Sequence, residues 1–216
     1  MEMLKFDEEA HDVELHGHYE FDTDTIVVSY DSMITPPCSL EISLADSSTR
    51  KVLKAKAVPG YDKELYACVR TAVKSRDGTT ETPVSMVYRK DLAEENVAFG
   101  KPTHTHLYGY GSYGSCVEAD FRATRLTLLN RGIIFCIAHV RGGAEMGRQW
   151  YEEPNCAKYL CKKNTFNDFV DMAKWLVDDS ISFVLRGPID GGLARWSFHQ
   201  SGTRALQDGC LGSSFC

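Results

Sequence analysis

The sequence predicts an α/β sheet unit preceded by antiparallel β structure, on three observations. Residues 19–58 carry short apolar and β-branched runs broken by turn residues; residues 66–179 alternate strand-like and helix-like periods; residues 180–216 hold no sustained period of either kind. The change from all-β to α/β falls near residue 65, which divides the chain into 1–65, 66–179 and 180–216.

In the first part, residues 25–30 are apolar and β-branched, Thr35-Pro36-Pro37 interrupts, and Leu40, Ile42 and Leu44 alternate before an Asp46-Ser47-Ser48 turn. So few strands suggest a portion of a larger β structure. A hairpin follows: Ala67, Val69, Thr71 and Val73 share one face, Asp77-Gly78 turns the chain, and Val84, Met86 and Tyr88 return. Residues 105–108 read as a short strand and residues 121–130 as a helix with Gly132 just past its end. Residues 133–138 form an unbroken apolar run, the pattern of a strand covered on both faces. Phe166, Phe169, Val170, Ala173, Leu176 and Val177 recur at helical spacing, and Thr165 with Asp168 fits a capping box. Beyond Asp179, glycines, arginines and isolated aromatics predict no regular element.

Composition narrows the function. A net charge of −6 without any basic block argues against nucleic acid or an anionic membrane as partner and suits a cationic ligand. The first fourteen residues are charged and no 18-residue apolar stretch occurs, so the expectation is a cytoplasmic protein. The eight cysteines are scattered without a Cys-x-x-Cys, which predicts reduced thiols and no structural zinc. His16-x-His18 and His104-x-His106 each lack a third ligand, so no metal site is expected.

Gly109-Tyr110-Gly111-Ser112-Tyr113-Gly114 satisfies a dinucleotide-binding spacing, but no acid closes the next strand and two tyrosines would crowd a pyrophosphate. A tight glycine-rich turn is the simpler reading, and no cofactor is expected. The same residues, with Leu107-Tyr108 before them, resemble a loop of the peptidase domain in the prolyl oligopeptidase family. His139-Val140-Arg141-Gly142-Gly143-Ala144-Glu145-Met146-Gly147, Trp150-Tyr151-Glu152 and Lys162-Lys163-Asn164-Thr165-Phe166-Asn167-Asp168-Phe169 follow in that family's order and spacing. Upstream, Arg76-Asp77-Gly78-Thr79 and Val87-Tyr88-Arg89-Lys90 also match. Gly-Ser-Tyr-Gly and Glu118-Ala119-Asp120 point to the oligopeptidase B branch.

The resemblance implies an incomplete α/β-hydrolase domain, preceded by the last strands of a β-propeller, from serine endopeptidases that cut after Arg or Lys. It assigns Tyr110 as an oxyanion donor, Glu118 and Asp120 as a secondary site for a basic residue of short basic peptides, and the Arg141-Gly142-Gly143 loop as a shaper of the site. A preoriented donor suits a developing alkoxide, and carboxylates suit a cation.

The family's nucleophile elbow corresponds to Gly187-Pro188-Ile189-Asp190-Gly191-Gly192, so Ile189, which has no attacking group, stands where the serine belongs. Ser182, Ser197 and Ser201 lack the flanking glycines, and nothing places a base beside Cys156 or Cys161. Only 27 residues, 190–216, follow Ile189, and His199 is the sole histidine among them. The expectation is a truncated or frame-disrupted peptidase relative without nucleophile, Asp or His. The rival expectations are a non-catalytic binder of basic peptides, a chain that pairs with a full-length relative through an exposed sheet edge, and an unstable fragment.

Overall fold

Four antiparallel strands, β1 (His11–Leu15), β2 (Thr25–Ser32), β3 (Cys38–Ser43) and β4 (Arg50–Ala55), form the first sheet in sequence order. They are seen in a computed structural model that describes residues 4–17, 20–93, 103–153 and 157–178, and beyond these the backbone of two strands, 184–189 and 194–199. Alternation puts Val28 and Tyr30 of β2 on the same side as Leu40 and Ile42 of β3, with Leu4 and Phe6 against them. Each such side chain contributes about 1.5–3 kcal/mol on full burial, so this small sheet holds an apolar cluster of its own. Leu44 lies past the end of β3 and is exposed, against the alternation that included it. The outer strand β4 is exposed along its whole length and carries Arg50, Lys51 and Lys54, charges that discourage pairing with a stray strand.

Glu8 ties the approach to this sheet. Its carboxylate accepts hydrogen bonds from Tyr30 and from Thr35 Oγ1 at 2.5 Å, and pairs with Lys63. Burial alone would raise its pKa, but the bonds from Lys63, Thr35 and Tyr30 outweigh it and hold the value at about 2.

The second sheet has the order β10-β9-β7-β8-β6-β5, built from β5 (Tyr66–Lys74), β6 (Glu81–Arg89), β7 (His104–Gly109), β8 (Ile134–Ala138), β9 (Val184–Ile189) and β10 (Ala194–His199). The hairpin β5–β6 is antiparallel with Val73 opposite Thr82, and Gly78, at φ +69°, closes its turn. The middle is parallel: β7 runs with β8 on one side and β9 on the other. One face packs Val84, Leu107 and Cys136 under Phe169, Met172 and Leu176 of helix α2 (Lys163–Asp178). The other packs Val87, Phe135 and Ile137 under Leu129 of the short helix α1 (Leu126–Leu129), with Met33 and Ile34 from beside the first sheet. All five residues of β8 are therefore buried, as its unbroken apolar run predicts.

Three sequence expectations are corrected. The helix expected over 121–130 is a 3-10 turn at Ala123–Arg125 followed by the four residues of α1, because Phe121 and Arg122 stay extended, with Phe121 N–H donated to Asp31. Thr165 and Asp168 do not cap α2; both lie inside it and bond to the chain after β8. The region after Asp179, expected to hold no element, contains β9 and β10, which join antiparallel with Ile189 opposite Ala194. Strand β1 was also not anticipated, since its His-Asp-Val-Glu-Leu sequence is polar at most positions.

Candidate active-site region

The carboxyl ends of β7, β8 and β9 converge, which is where open α/β sheets present ligand-contacting loops. Gly109, the last residue of β7, is in register with Ala138 of β8 and with Ile189 of β9. Tyr110 follows immediately and is half-buried. A side chain at Gly109 would meet Phe169 of α2 at 3.0 Å, and one at Gly111 would come within 2.6 Å of both Thr165 and Val140. Gly111 also sits at φ +61°, a conformation open to glycine at little cost. These glycines let the loop after β7 lie flat on α2 and on the loop after β8.

Polar contacts hold that loop. Lys162 donates to the Gly111 carbonyl and, at 2.8 Å, to Ser112 Oγ, while Thr165 Oγ1 donates to the Arg141 carbonyl at 2.7 Å. Arg141, 2% exposed, grips Asp168 of α2 through two bonds of 2.8 and 2.6 Å and reaches Asp77 in the β5–β6 turn at 2.8 Å. Burial would lower the guanidinium's pKa, but Asp168 and Asp77 more than offset it and keep the cation charged. One side chain thus locks hairpin, loop and helix around the loop that carries Tyr110. The sequence reading of Arg141-Gly142-Gly143 as a shaping loop missed Asp77 and Asp168 as its partners.

Glu118 and Asp120 differ sharply in surroundings. The segment 115–122 has no regular secondary structure and is pinned twice: Val117 N–H donates to Glu145 Oε1 at 2.9 Å, and Phe121 N–H to Asp31 Oδ2 at 3.2 Å. Ala119 is buried between them and Glu118 projects outward, exposed. Asp120 pairs with Arg122 at 2.8 Å and with buried Arg125 at 3.0 Å, so much of its charge is already compensated. Asp31, from the first sheet, completes an acidic group that sequence spacing could not reveal. Burial, with Asp120, Asp12 and Glu118 nearby, pushes its carboxyl pKa up.

A second constellation also escaped the sequence reading. Ser85 Oγ and His139 Nε2 are 2.8 Å apart, and His139 Nδ1 lies 3.8 Å from Glu145 Oε1. Ser85 is fully buried and His139 is 2% exposed. This is the order of groups in a serine nucleophile's hydrogen-bonded chain, but Ser85 sits within strand β6 where no peptide reaches it.

Of the proposed elbow, the backbone of Gly187, Pro188 and Ile189 is described as the end of β9, while Asp190, Gly191 and Gly192 lie outside the described residues. The next described element is the antiparallel strand β10, whereas a nucleophile elbow leads from strand to helix. Ser197 and His199 belong to β10; Ser182, Ser201, Cys156 and His18 lie outside the described residues. His106 stacks on Phe135, His104 is exposed, and His16 bonds Ser29; among the described residues no three His, Cys, Asp or Glu side chains gather as metal ligands.

Residues 119–186 match the model of the prolyl oligopeptidase family. Over 191 residues the chain is 40% identical to dipeptidyl aminopeptidase BI of Pseudoxanthomonas mexicana, which covers 88% of this chain and 25% of that protein. It is 33% identical over 198 residues to protease 2 of Moraxella lacunata, covering 89% and 27%. Among solved structures, oligopeptidase B of Trypanosoma brucei with covalently bound antipain aligns at a TM-score of 0.72 and 37% identity over 85% of this chain and 26% of that one. Oligopeptidase B of Leishmania major aligns at 0.71 and 35%, over 85% and 25%. The chain thus spans about a quarter of the length of the relatives it matches.

Proposed function

Because the chain belongs to the prolyl oligopeptidase family of serine peptidases, and its fold is part of an α/β-hydrolase domain preceded by propeller strands, we propose that it binds basic peptides without cleaving them. The observation that carries this reading is Ile189 at the end of β9, in register with Gly109 and followed by a strand. Acyl transfer needs a nucleophile within reach of an oxyanion donor; with Tyr110 as the donor, isoleucine offers no atom to attack a carbonyl. Glu118, exposed on a pinned segment, supplies the free negative charge for an arginine or lysine side chain, and Asp120 and Asp31 add to the local field. Among the described residues Cys38, Cys68, Cys116, Cys136 and Cys161 are free thiols, with Cys136 packed in the core, which fits the reducing cytoplasm this reading assigns.

Incubation of the 216-residue chain with an Arg-Arg fluorogenic peptide tests the reading. Saturable binding that weakens with salt, with no release of fluorophore, is the expected result. Turnover would overturn it.

A second reading rests on β4. Its outer edge is unpaired among the described strands and exposes Val52 and Leu53, which support association by strand addition with a full-length relative against the opposition of Arg50, Lys51 and Lys54. Co-elution of the chain with a full-length relative in size-exclusion chromatography, abolished by Val52→Pro, is its expected outcome; separate elution of the two would contradict it.

A further inference from the structure

We propose that Glu145 is a positioning residue for the acidic site: through Val117 it holds Glu118 in place. The proposal rests on the reading of Glu118 as a receptor for basic peptides.

Three features single out Glu145. Its carboxylate folds back over Gly143 so closely that a Cβ there would lie 2.0 Å from Oε2, which makes glycine a requirement of this placement. Oε1 accepts the Val117 N–H at 2.9 Å, one residue before Glu118. Both Glu145 Oε2 and His139 Nδ1 are buried and have no hydrogen-bond partner, an expense that folded proteins rarely retain without use.

His139 supplies the link to the rigid sheet. Ser85 Oγ lies 2.8 Å from Nε2, and Nδ1 stands 3.8 Å from the Glu145 carboxylate, so the imidazole packs beside Glu145 without a direct hydrogen bond to it. Ser85 lies in β6 between β5 and β8, and His139 N–H also donates to the Pro83 carbonyl at 3.0 Å, so the imidazole stands on two points of one strand. Ser85, His139, Glu145 and Val117 thus lie in succession from β6, next to the edge strand β5, to the irregular segment 115–122. The far end of that segment is fixed by the bond from Phe121 to Asp31, so loss of Glu145 would remove the hydrogen bond nearest Glu118 and leave its anchors at Ser115 and Phe121.

The test compares affinities of Arg-Arg and Ala-Arg peptides for the full chain at low salt, together with amide exchange at Val117. The wild-type chain is expected to prefer Arg-Arg by roughly threefold, the size an exposed ion pair supports. Glu145→Ala is expected to remove that preference and speed exchange at Val117, whereas Glu145→Gln, which keeps an acceptor for the N–H, retains both. Glu145→Asp, whose carboxylate is set back by one methylene, behaves like the alanine variant and serves in its place if that chain does not fold. A preference that survives in Glu145→Ala or Glu145→Asp overturns the proposal and leaves the basic-site reading intact. No preference in the wild-type chain overturns both.

Discussion

Ile189 ends strand β9 directly in register with Gly109, the residue before Tyr110. On the proposed reading, adjacent parallel strands thereby bring together the position of an oxyanion donor and the position of a nucleophile that the chain does not possess. Restoring a hydroxyl there would not restore the elbow, because β10 turns back against β9 where a helix should start.

Arg141 and Asp168 form a nearly fully buried ion pair, and removing Asp168 leaves the buried cation with only the part-exposed Asp77 as counter-ion. Asp168→Asn is expected to lower unfolding free energy by about 1–3 kcal/mol, less than for a wholly unpaired cation because Asp77 remains. Urea denaturation of the two chains measures the difference. Replacing Arg141 and Asp168 together by methionine and leucine is expected to cost much less, since the buried cation then disappears with its partner.

Glu8 should govern part of the acid limb of stability. A carboxyl whose folded-state pKa lies below its ordinary 4.5 contributes stability that is complete above 4.5 and lost as pH falls towards the folded value of about 2. Glu8→Gln is therefore expected to be less stable than wild type at pH 7, by about 1–3 kcal/mol. The gap should close between about pH 4.5 and 2 when denaturant midpoints are followed across that range.

Asp31 carries the opposite sign. Its folded-state pKa is raised by burial and by Asp120, Asp12 and Glu118, so its ionised form destabilises the fold above that value. Asp31→Asn keeps an acceptor for Phe121 N–H and is expected to raise the thermal midpoint at pH 7. The gain should vanish in acid, once the wild-type carboxyl is protonated.

Glu118 and Asp120 should separate binding from stability. Glu118→Ala is expected to weaken Arg-Arg peptide binding with a thermal midpoint unchanged, because Glu118 is exposed. Asp120→Ala is expected to lower the midpoint as well, since it strands Arg125 in the core against Phe135. Calorimetric titration beside thermal unfolding distinguishes the two.

Period and run length made β8, the β5–β6 hairpin and the second helix legible in the sequence. Apolar residues at those positions face one partner surface or two, and the pattern records which. The same logic failed at residues 121–130, where the tertiary bond from Phe121 to Asp31 and the local pairs of Asp120 with Arg122 and Arg125 kept the first turn from forming. It failed at Thr165 and Asp168 for a related reason: their side chains serve Arg141 and Gly111, and a capping pattern in sequence cannot announce a partner 24 or more residues away. Motif order nominated Tyr110, Glu118 and Ile189 as site residues, and the proposed function rests on that nomination. Asp31, Ser85 and Glu145 had no such signal; each acquires its role only when the two sheets, or two distant strands, meet.

The most direct test is mass-spectrometric mapping of fluorophosphonate adducts on the purified 216-residue chain. The account predicts no serine adduct at all, with Ser85 untouched inside β6 despite its histidine neighbour. A stoichiometric adduct on Ser182, Ser197, Ser201 or any other serine, accompanied by cleavage of an Arg-Arg peptide, would contradict it and identify the nucleophile.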